Sequence, residues 1–214
     1  MTMKIAIDGP AASGKGTLAK TLAMALSFDY LDTGTLYRAV GRAVIDAAIP
    51  VDMIADHIDE ITDIARNLAL PIVNDDSLRT SKIATIASKI ASIPAIREAL
   101  IDTQIRFANQ PPSGKGAVLD GRDIGTVILP DADLKLYIDA DVEVRARRRT
   151  LELSATDESV THAQILADLI ERDARDKARD TAPLTIAQDA HVIDTSQLNA
   201  QEVLEQALNL VKRL

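Results

Sequence analysis

Gly9-Pro10-Ala11-Ala12-Ser13-Gly14-Lys15-Gly16-Thr17 is the stretch of this sequence best suited to do chemistry. Glycine, four residues, glycine and lysine is the spacing of a loop that wraps phosphate groups. A phosphate has to be met by several backbone N–H groups at once, so such a loop must curl with little side-chain bulk. Lys15 is placed to reach the β- and γ-phosphates of a nucleotide, and the Thr17 hydroxyl to lie near a Mg²⁺ ion held largely through water and the phosphates. One position departs from the pattern. Gly16 follows the lysine where Ser or Thr is usual, and the hydroxyl comes one residue later.

The elements that must position this loop are legible on either side. Lys4-Ile5-Ala6-Ile7-Asp8 reads as a short strand, and Leu18, Leu22 and Leu26 continue the loop as a helix with one apolar stripe. The unsatisfied N–H groups and positive dipole end of that helix favour an anion. Beyond it, Tyr30-Leu31-Asp32 reads as a second strand, Thr33-Gly34 as a turn, and residues 37–48 as a helix. Ile54, Ile58, Ile61, Ile64 and Leu68 recur at helical spacing. Residues 71–80 are polar and irregular, followed by helical runs at 83–91 and 95–108 around Pro94. After the break at Pro111-Pro112-Ser113-Gly114, residues 117–120, 134–139 and 191–194 read as strands. Helices fall near 142–153 and 163–178, and Asn199-Ala200-Gln201-Glu202 resembles a capping box ahead of Val203, Ala207 and Val211. Short apolar strands alternating with helices imply an α/β protein with a parallel sheet covered on both faces. Ser113-Gly114-Lys115-Gly116 repeats part of the loop but precedes a strand and lacks the earlier glycine, so it reads as a plain turn.

Composition bounds the function. The chain has 214 residues, 47% of them hydrophobic, which suits one α/β domain with a sizeable core. Cys is absent, which rules out disulfides and thiolate metal sites and fits a reducing, cytoplasmic setting. No basic segment leads a long apolar run, so neither a signal peptide nor a membrane span is expected. A net charge of −8 argues against nucleic-acid polymers as partners, and an aromatic content of 2% argues against a base-stacking platform. His57, His162 and His191 are scattered without metal-ligand spacing, and no Asn-Lys-x-Asp guanine signature occurs.

Several stretches together resemble bacterial cytidylate kinase across nearly the whole chain. They are the phosphate loop with Ile7-Asp8; Tyr30-Leu31-Asp32-Thr33-Gly34-Thr35-Leu36-Tyr37-Arg38; Asp120-Gly121-Arg122-Asp123-Ile124-Gly125-Thr126 with Pro130-Asp131-Ala132; and Glu171-Arg172-Asp173 through Ala182-Pro183-Leu184. Loops reading Gly-Lys-Gly-Thr are usual in nucleoside monophosphate kinases, so the departure at Gly16 narrows the class. The resemblance implies phosphoryl transfer from ATP, with Mg²⁺, to CMP or dCMP. It implies a five-stranded parallel sheet flanked by helices, as core, over residues 1–50, 112–150 and 185–214 of one domain. A helical acceptor-binding insertion at 51–111 and a lid with its following helix at 151–184 would complete it. A monomer is expected.

The resemblance also assigns residues. Gly9 to Thr17 would hold ATP; Lys15, Arg122, Arg148 and Asp120 would be catalytic, with Asp120 near the metal and phosphates. Arg38 would hold the CMP phosphate, with Thr33 and Tyr37 beside it. Arg122 would bind the same phosphate, and Asp123 would accept the exocyclic amine of cytosine, helped by Ser88 and Arg97. A carboxylate facing that amine suits cytosine, whereas uracil presents an acceptor there. Arg172 and Asp176 would meet the sugar hydroxyls and Arg179 a phosphate. Two alternatives stand beside the catalytic reading of these charges. Arg145, Arg147, Arg148 and Arg149 point in several directions on one helix and suit a solvated basic face. Arg172, Arg175 and Arg179 share a face next to a row of Asp173, Asp176 and Asp180, which suits a self-paired exposed helix. Residues 70–80 are shorter than the β-rich insertion many family members carry there. The alternative functions are a kinase of another acceptor, such as UMP or AMP, or a nucleotide switch.

Overall fold

The computed structural model describes residues 2–68, 76–154 and 160–214. The chain forms two compact units, Met1–Leu31 with Ala108–Leu214, and Asp32–Phe107. Residues 70–75 of the shortened stretch at 70–80, and residues 155–159 of the expected lid at 151–184, lie outside the described residues.

The first unit is built on a five-stranded sheet. The strands are β1 (Met3–Asp8), β2 (Asp29–Asp32), β3 (Gly116–Gly121), β4 (Leu134–Asp139) and β5 (His191–Asp194), in the order β2-β3-β1-β4-β5. β1 pairs in parallel with both β3 and β4, and Asp8 stands level with Gly121 and Tyr137. Ile5, Ala6 and Ile7 are all fully buried, because both faces of a parallel sheet are covered and a central strand needs no polar face. Helix α1 (Lys15–Leu26) buries Leu18, Ala19, Leu22 and Ala23 against Ile5, Ile7 and Val118. Helix α8 (Ala200–Val211) adds Val203 and Ala207 to the same cluster. The capping box is present: Asn199 Oδ1 accepts from Gln201 and Glu202 N–H at 2.9 and 3.0 Å, and Asn199 N–H donates to Glu202 Oε2 at 2.8 Å. Helices α6 (Val142–Ser154) and α7 (His162–Lys177) pack through Ala146, Ile165 and Leu169, a cluster that also takes in Ala11 of the phosphate loop. The sequence reading has no counterpart for the π-helical turn Ile124–Ile128 that follows β3.

The second unit is helical. It holds α2 (Thr33–Asp46), a 3-10 turn at Ile54–His57, α3 (Ile58–Arg66), a 3-10 turn at Asp76–Arg79, α4 (Ser81–Ile90) and most of α5 (Pro94–Asn109). Leu36, Val40, Val44, Ile61, Ile86, Ile90, Ile96 and Leu100 are buried in it. The single helix expected from Ile54 to Leu68 is divided, with 3-10 geometry in its first turn. The turn expected at Thr33-Gly34 is a correction of substance, because α2 already begins at Thr33. The glycine there serves clearance. A Cβ on Gly34 would come within 3.0 Å of Asp32 Oδ1 and 3.1 Å of Arg38 Nη1. A residue that usually marks a turn therefore opens a helix, so that two charged side chains can meet over its backbone.

Candidate active site

The phosphate loop is shaped by what holds its carbonyl groups. Gly9 has φ +150°, and a Cβ there would stand 2.0 Å from the Ile138 carbonyl oxygen, so no other residue fits. Lys15 Nζ donates to Pro10 O at 3.3 Å, Arg145 Nη1 to Ala11 O at 3.2 Å, Thr195 Oγ1 to Ser13 O at 2.9 Å and Leu18 N–H to Gly14 O at 3.0 Å. Protein donors thus occupy the acceptors that would otherwise repel an anion. Ser13 is fully buried, and its Oγ has no hydrogen-bond partner in the structure. A buried hydroxyl in that state is suited to a ligand oxygen.

Asp120, at the end of β3, lies beside the same loop. Its Oδ1 accepts from Tyr30 Oη at 2.8 Å, and a Cβ placed on Gly16 would be 3.7 Å from its Oδ2 and 3.8 Å from Tyr30 Oη. Those are ordinary contact distances, so sterics alone do not demand glycine at the position that departs from the usual motif. The exposed Thr17 and the buried Asp120 offer hard oxygen donors close to the loop. Mg²⁺ takes one or two such protein oxygens and fills its remaining positions with water and phosphates, so this donor set fits it.

Arg122 follows one strand residue later and meets α7. Its Nε donates to Asp176 Oδ2 at 2.9 Å, Arg179 Nη2 pairs with Asp176 Oδ1, and Arg172 Nε stands 4.0 Å from Oδ2. Asp176 has no exposed surface. Burial by itself would push its carboxyl up, but Arg122, Arg179 and Arg172 outweigh burial and hold it below the usual carboxylate range. The two readings of this helix divide between its residues. Arg175 pairs with Glu171 on the exposed side, while Arg172 and Arg179 converge on the buried carboxylate.

Asp123 is buried and opens the π turn, its carbonyl accepting Val127 and Ile128 N–H at 2.9 and 3.2 Å. The next two amides, Ile124 and Gly125, donate to Asp8 Oδ1 and Oδ2, both at 2.8 Å. Burial pushes the Asp8 carboxyl up to about 7; the two amides and Arg122 pull the other way, and Asp123 adds to the rise.

The four arginines of α6 have separate fates. Arg145 is buried, donating from Nε to Ala140 O at 2.9 Å and from Nη2 to Asp173 Oδ2 at 2.6 Å, besides its bond to Ala11. Arg148 donates to Thr195 Oγ1 at 3.0 Å and to Thr195 O at 2.6 Å. It therefore reaches the phosphate loop through Thr195, whose hydroxyl holds Ser13. Arg149 pairs with Glu152 and Arg147 is exposed, as a solvated face requires.

In the helical unit, Arg38 Nη2 bonds Asp32 Oδ2 at 2.5 Å and Thr35 Oγ1 at 2.8 Å, and its buried Nε has no partner in the structure. Thr33 and Tyr37 are buried on the same helix. Arg97, 3% exposed, stacks its guanidinium 6.0 Å from the Tyr37 ring centroid and donates to Ala91 O at 3.2 Å. Ser88 is buried on α4.

Sequence reasoning missed Asp8, Tyr30, Arg145, Asp173 and Thr195 as site residues. Asp8 and Thr195 stand at the carboxyl ends of strands, where open α/β sheets place their ligands, and that signal is present for both. Nothing in local spacing distinguishes Arg145 from its three neighbours.

Comparison with known proteins bears on the whole chain. The family profile described as cytidylate kinase matches residues 5–213. The cytidylate kinase of Paramagnetospirillum magneticum is 51% identical over 213 residues, covering 99% of this chain and 98% of that one. The cytidylate kinase of Rhodospirillum rubrum is 50% identical, covering 98% and 97%. Among solved structures, a shikimate kinase from Bacteroides thetaiotaomicron matches with TM-score 0.52 at 12% identity, covering 98% of each chain. An uncharacterized protein from Eubacterium ventriosum matches with TM-score 0.59 at 16% identity over all of both chains. At those identities the structural likeness shows the fold alone.

Proposed function

The chain belongs to the cytidylate kinase family, and on that premise we propose that its residues divide the transfer of a phosphoryl group from ATP to CMP or dCMP as follows. The enzyme is a nucleoside monophosphate kinase, giving ADP and CDP or dCDP. The alternatives, a UMP or AMP kinase and a nucleotide switch, are not favoured.

Phosphoryl transfer makes few covalent demands of a protein; it requires alignment and neutralisation of spreading negative charge. Gly9 to Thr17 wrap the ATP phosphates, with Lys15 exchanging its bond to Pro10 for the β- and γ-phosphates. Thr17 and Asp120 would hold Mg²⁺, which would supply positive charge to offset that of the phosphates. Arg38 and Arg122 grip the phosphate of the acceptor, whose oxygen attacks the γ-phosphorus. Arg148, parked on Thr195, turns to the ATP phosphates, and Arg179 adds charge at the acceptor phosphate. Asp123 accepts the cytosine amine, with Ser88 and Arg97 completing base recognition and Thr33 and Tyr37 lining the acceptor. Arg172 and Asp176 meet the sugar hydroxyls. Before any anion arrives, Asp176 also cancels the mutual repulsion of three guanidinium groups. The absence of cysteine supports a cytoplasmic setting.

The observation that carries this reading is a phosphate loop whose neighbouring strand ends in Asp120-Gly121 and runs straight into Arg122-Asp123, with Arg122 already drawn onto the buried Asp176 carboxylate beside Arg172 and Arg179. Measuring ADP release with CMP, dCMP, UMP, AMP and TMP tests it. Preference for the two cytosine nucleotides is expected, and equal use of all five rejects the substrate assignment.

A further inference from the structure

We propose that Asp8 is a positioning residue of the acceptor site, fixing through the N–H groups of Ile124 and Gly125 the turn that presents Arg122 and Asp123. This rests on the acceptor role given to those two residues above. Asp8 ends β1 and immediately precedes Gly9, so it also launches the phosphate loop. Each of its oxygens takes one amide at 2.8 Å, across 116 and 117 positions of sequence. On one side of Arg122 and Asp123, the segment is held by strand pairing, Gly121 standing level with Asp8. On the other side it is held by Asp8 and by the π-turn bonds to the Asp123 carbonyl. The two side chains assigned to phosphate and base are therefore bracketed by a single anchor on the strand that carries the ATP loop.

An ionised carboxylate serves this purpose in a way that the neutral acid cannot. Both of its oxygens accept, whereas a protonated one turns a donor towards an N–H. Asp8 is 5% exposed, and burial brings its protonation to about 7, inside the working range of an enzyme. The charged groups acting on it are Asp123 and Arg122, both from the segment that leaves β3, and Tyr137 of β4 stands level with it. The Tyr137 hydroxyl is itself pushed up to about 12, by burial first and then by Asp139 and Asp8. Lowering the pH through about 7 protonates Asp8, loosens the turn and weakens hold on the acceptor, while the phosphate loop keeps its own carbonyl bonds.

The test compares the full chain with its Asp8→Asn variant, measuring KM for CMP and for ATP between about pH 6 and 8.5. At the alkaline end the variant should show KM for CMP raised about tenfold, with KM for ATP within about threefold. In the wild type, KM for CMP should climb below about pH 7. The variant should show only the change due to the substrate phosphate, which titrates near 6. Amide exchange at Ile124 and Gly125 should quicken in the variant. Equal KM for CMP in the two proteins across the range overturns the proposal, as does a parallel rise of both KM values. If the variant does not fold, the wild-type profile decides: a KM for CMP that rises only with the substrate phosphate overturns it. A wild type that does not turn over CMP at all shows instead that the proposed function has failed, and this is seen before any variant is made.

Discussion

Arg122 donates its Nε–H to Asp176 Oδ2 at 2.9 Å, although 54 positions of sequence separate them. The carboxylate is fully buried and is shared with Arg172 and Arg179. Removing one member of a buried ionic cluster leaves the others uncompensated. Asp176→Ala should therefore destabilise the protein by about 3–5 kcal/mol, read from denaturant midpoints at unchanged slope. It should also lower kcat/KM for CMP more than for dCMP, because only CMP carries the 2′-hydroxyl assigned to this carboxylate.

Asp123→Ala removes the acceptor for the cytosine amine. Sites built to hydrogen-bond a substrate group discriminate strongly, by about 10⁴-fold in favourable cases. The expected result is at least a hundredfold fall in kcat/KM for CMP with UMP little changed, measured by ADP release.

Gly34→Ala separates stability from acceptor binding. Alanine is favoured over glycine within a helix by up to about 1 kcal/mol. The new methyl, however, would stand 3.0 Å from Asp32 Oδ1 and 3.1 Å from Arg38 Nη1, so the ion pair must shift. Melting should show equal or greater stability, while KM for CMP rises several-fold.

Thr195→Val keeps the side-chain shape and removes a hydroxyl that donates to Ser13 O and accepts from Arg148. A lost buried hydrogen bond costs about 1–3 kcal/mol. KM for ATP should rise more than KM for CMP, because the bond lost belongs to the phosphate loop.

Asp8 gives stability a pH dependence of its own. Its carboxyl is raised from 3.8 to about 7 in the folded chain, so between those values the folded state binds the extra proton. Stability then falls as pH rises through that window and levels off above it. The full effect is bounded by roughly 4 kcal/mol, since each tenfold change in proton affinity is worth about 1.4 kcal/mol. The difference in unfolding free energy between wild type and Asp8→Asn, measured from about pH 4 to 8, should decline with pH and then flatten.

How much of this is legible beforehand follows from how far each interaction reaches along the chain. The phosphate loop, the strands and the capping box at Asn199 depend on residues within a few positions of each other, and the sequence reading locates them. Gly34 reads as a turn because a glycine after a strand usually signals one; the reason for it here is a side-chain pair meeting above the helix. The arginines of α6 stand out as a group, but which one is buried depends on Ala11 and Asp173, both distant in sequence.

The sequence by itself determined the class of fold, the phosphate loop and the set of charged residues from which a kinase site is assembled, since those rest on backbone type and local periodicity. Tertiary structure alone decided the partners: Asp8 for the amides after Asp123, Thr195 for Ser13 across 182 positions, Asp176 for Arg122. The physical reason is the strand order. β1 lies between β3 and β4, and β4 pairs with β5, all in parallel, so the residues at the carboxyl ends of these four strands gather at one end of the sheet, whatever their separation along the chain.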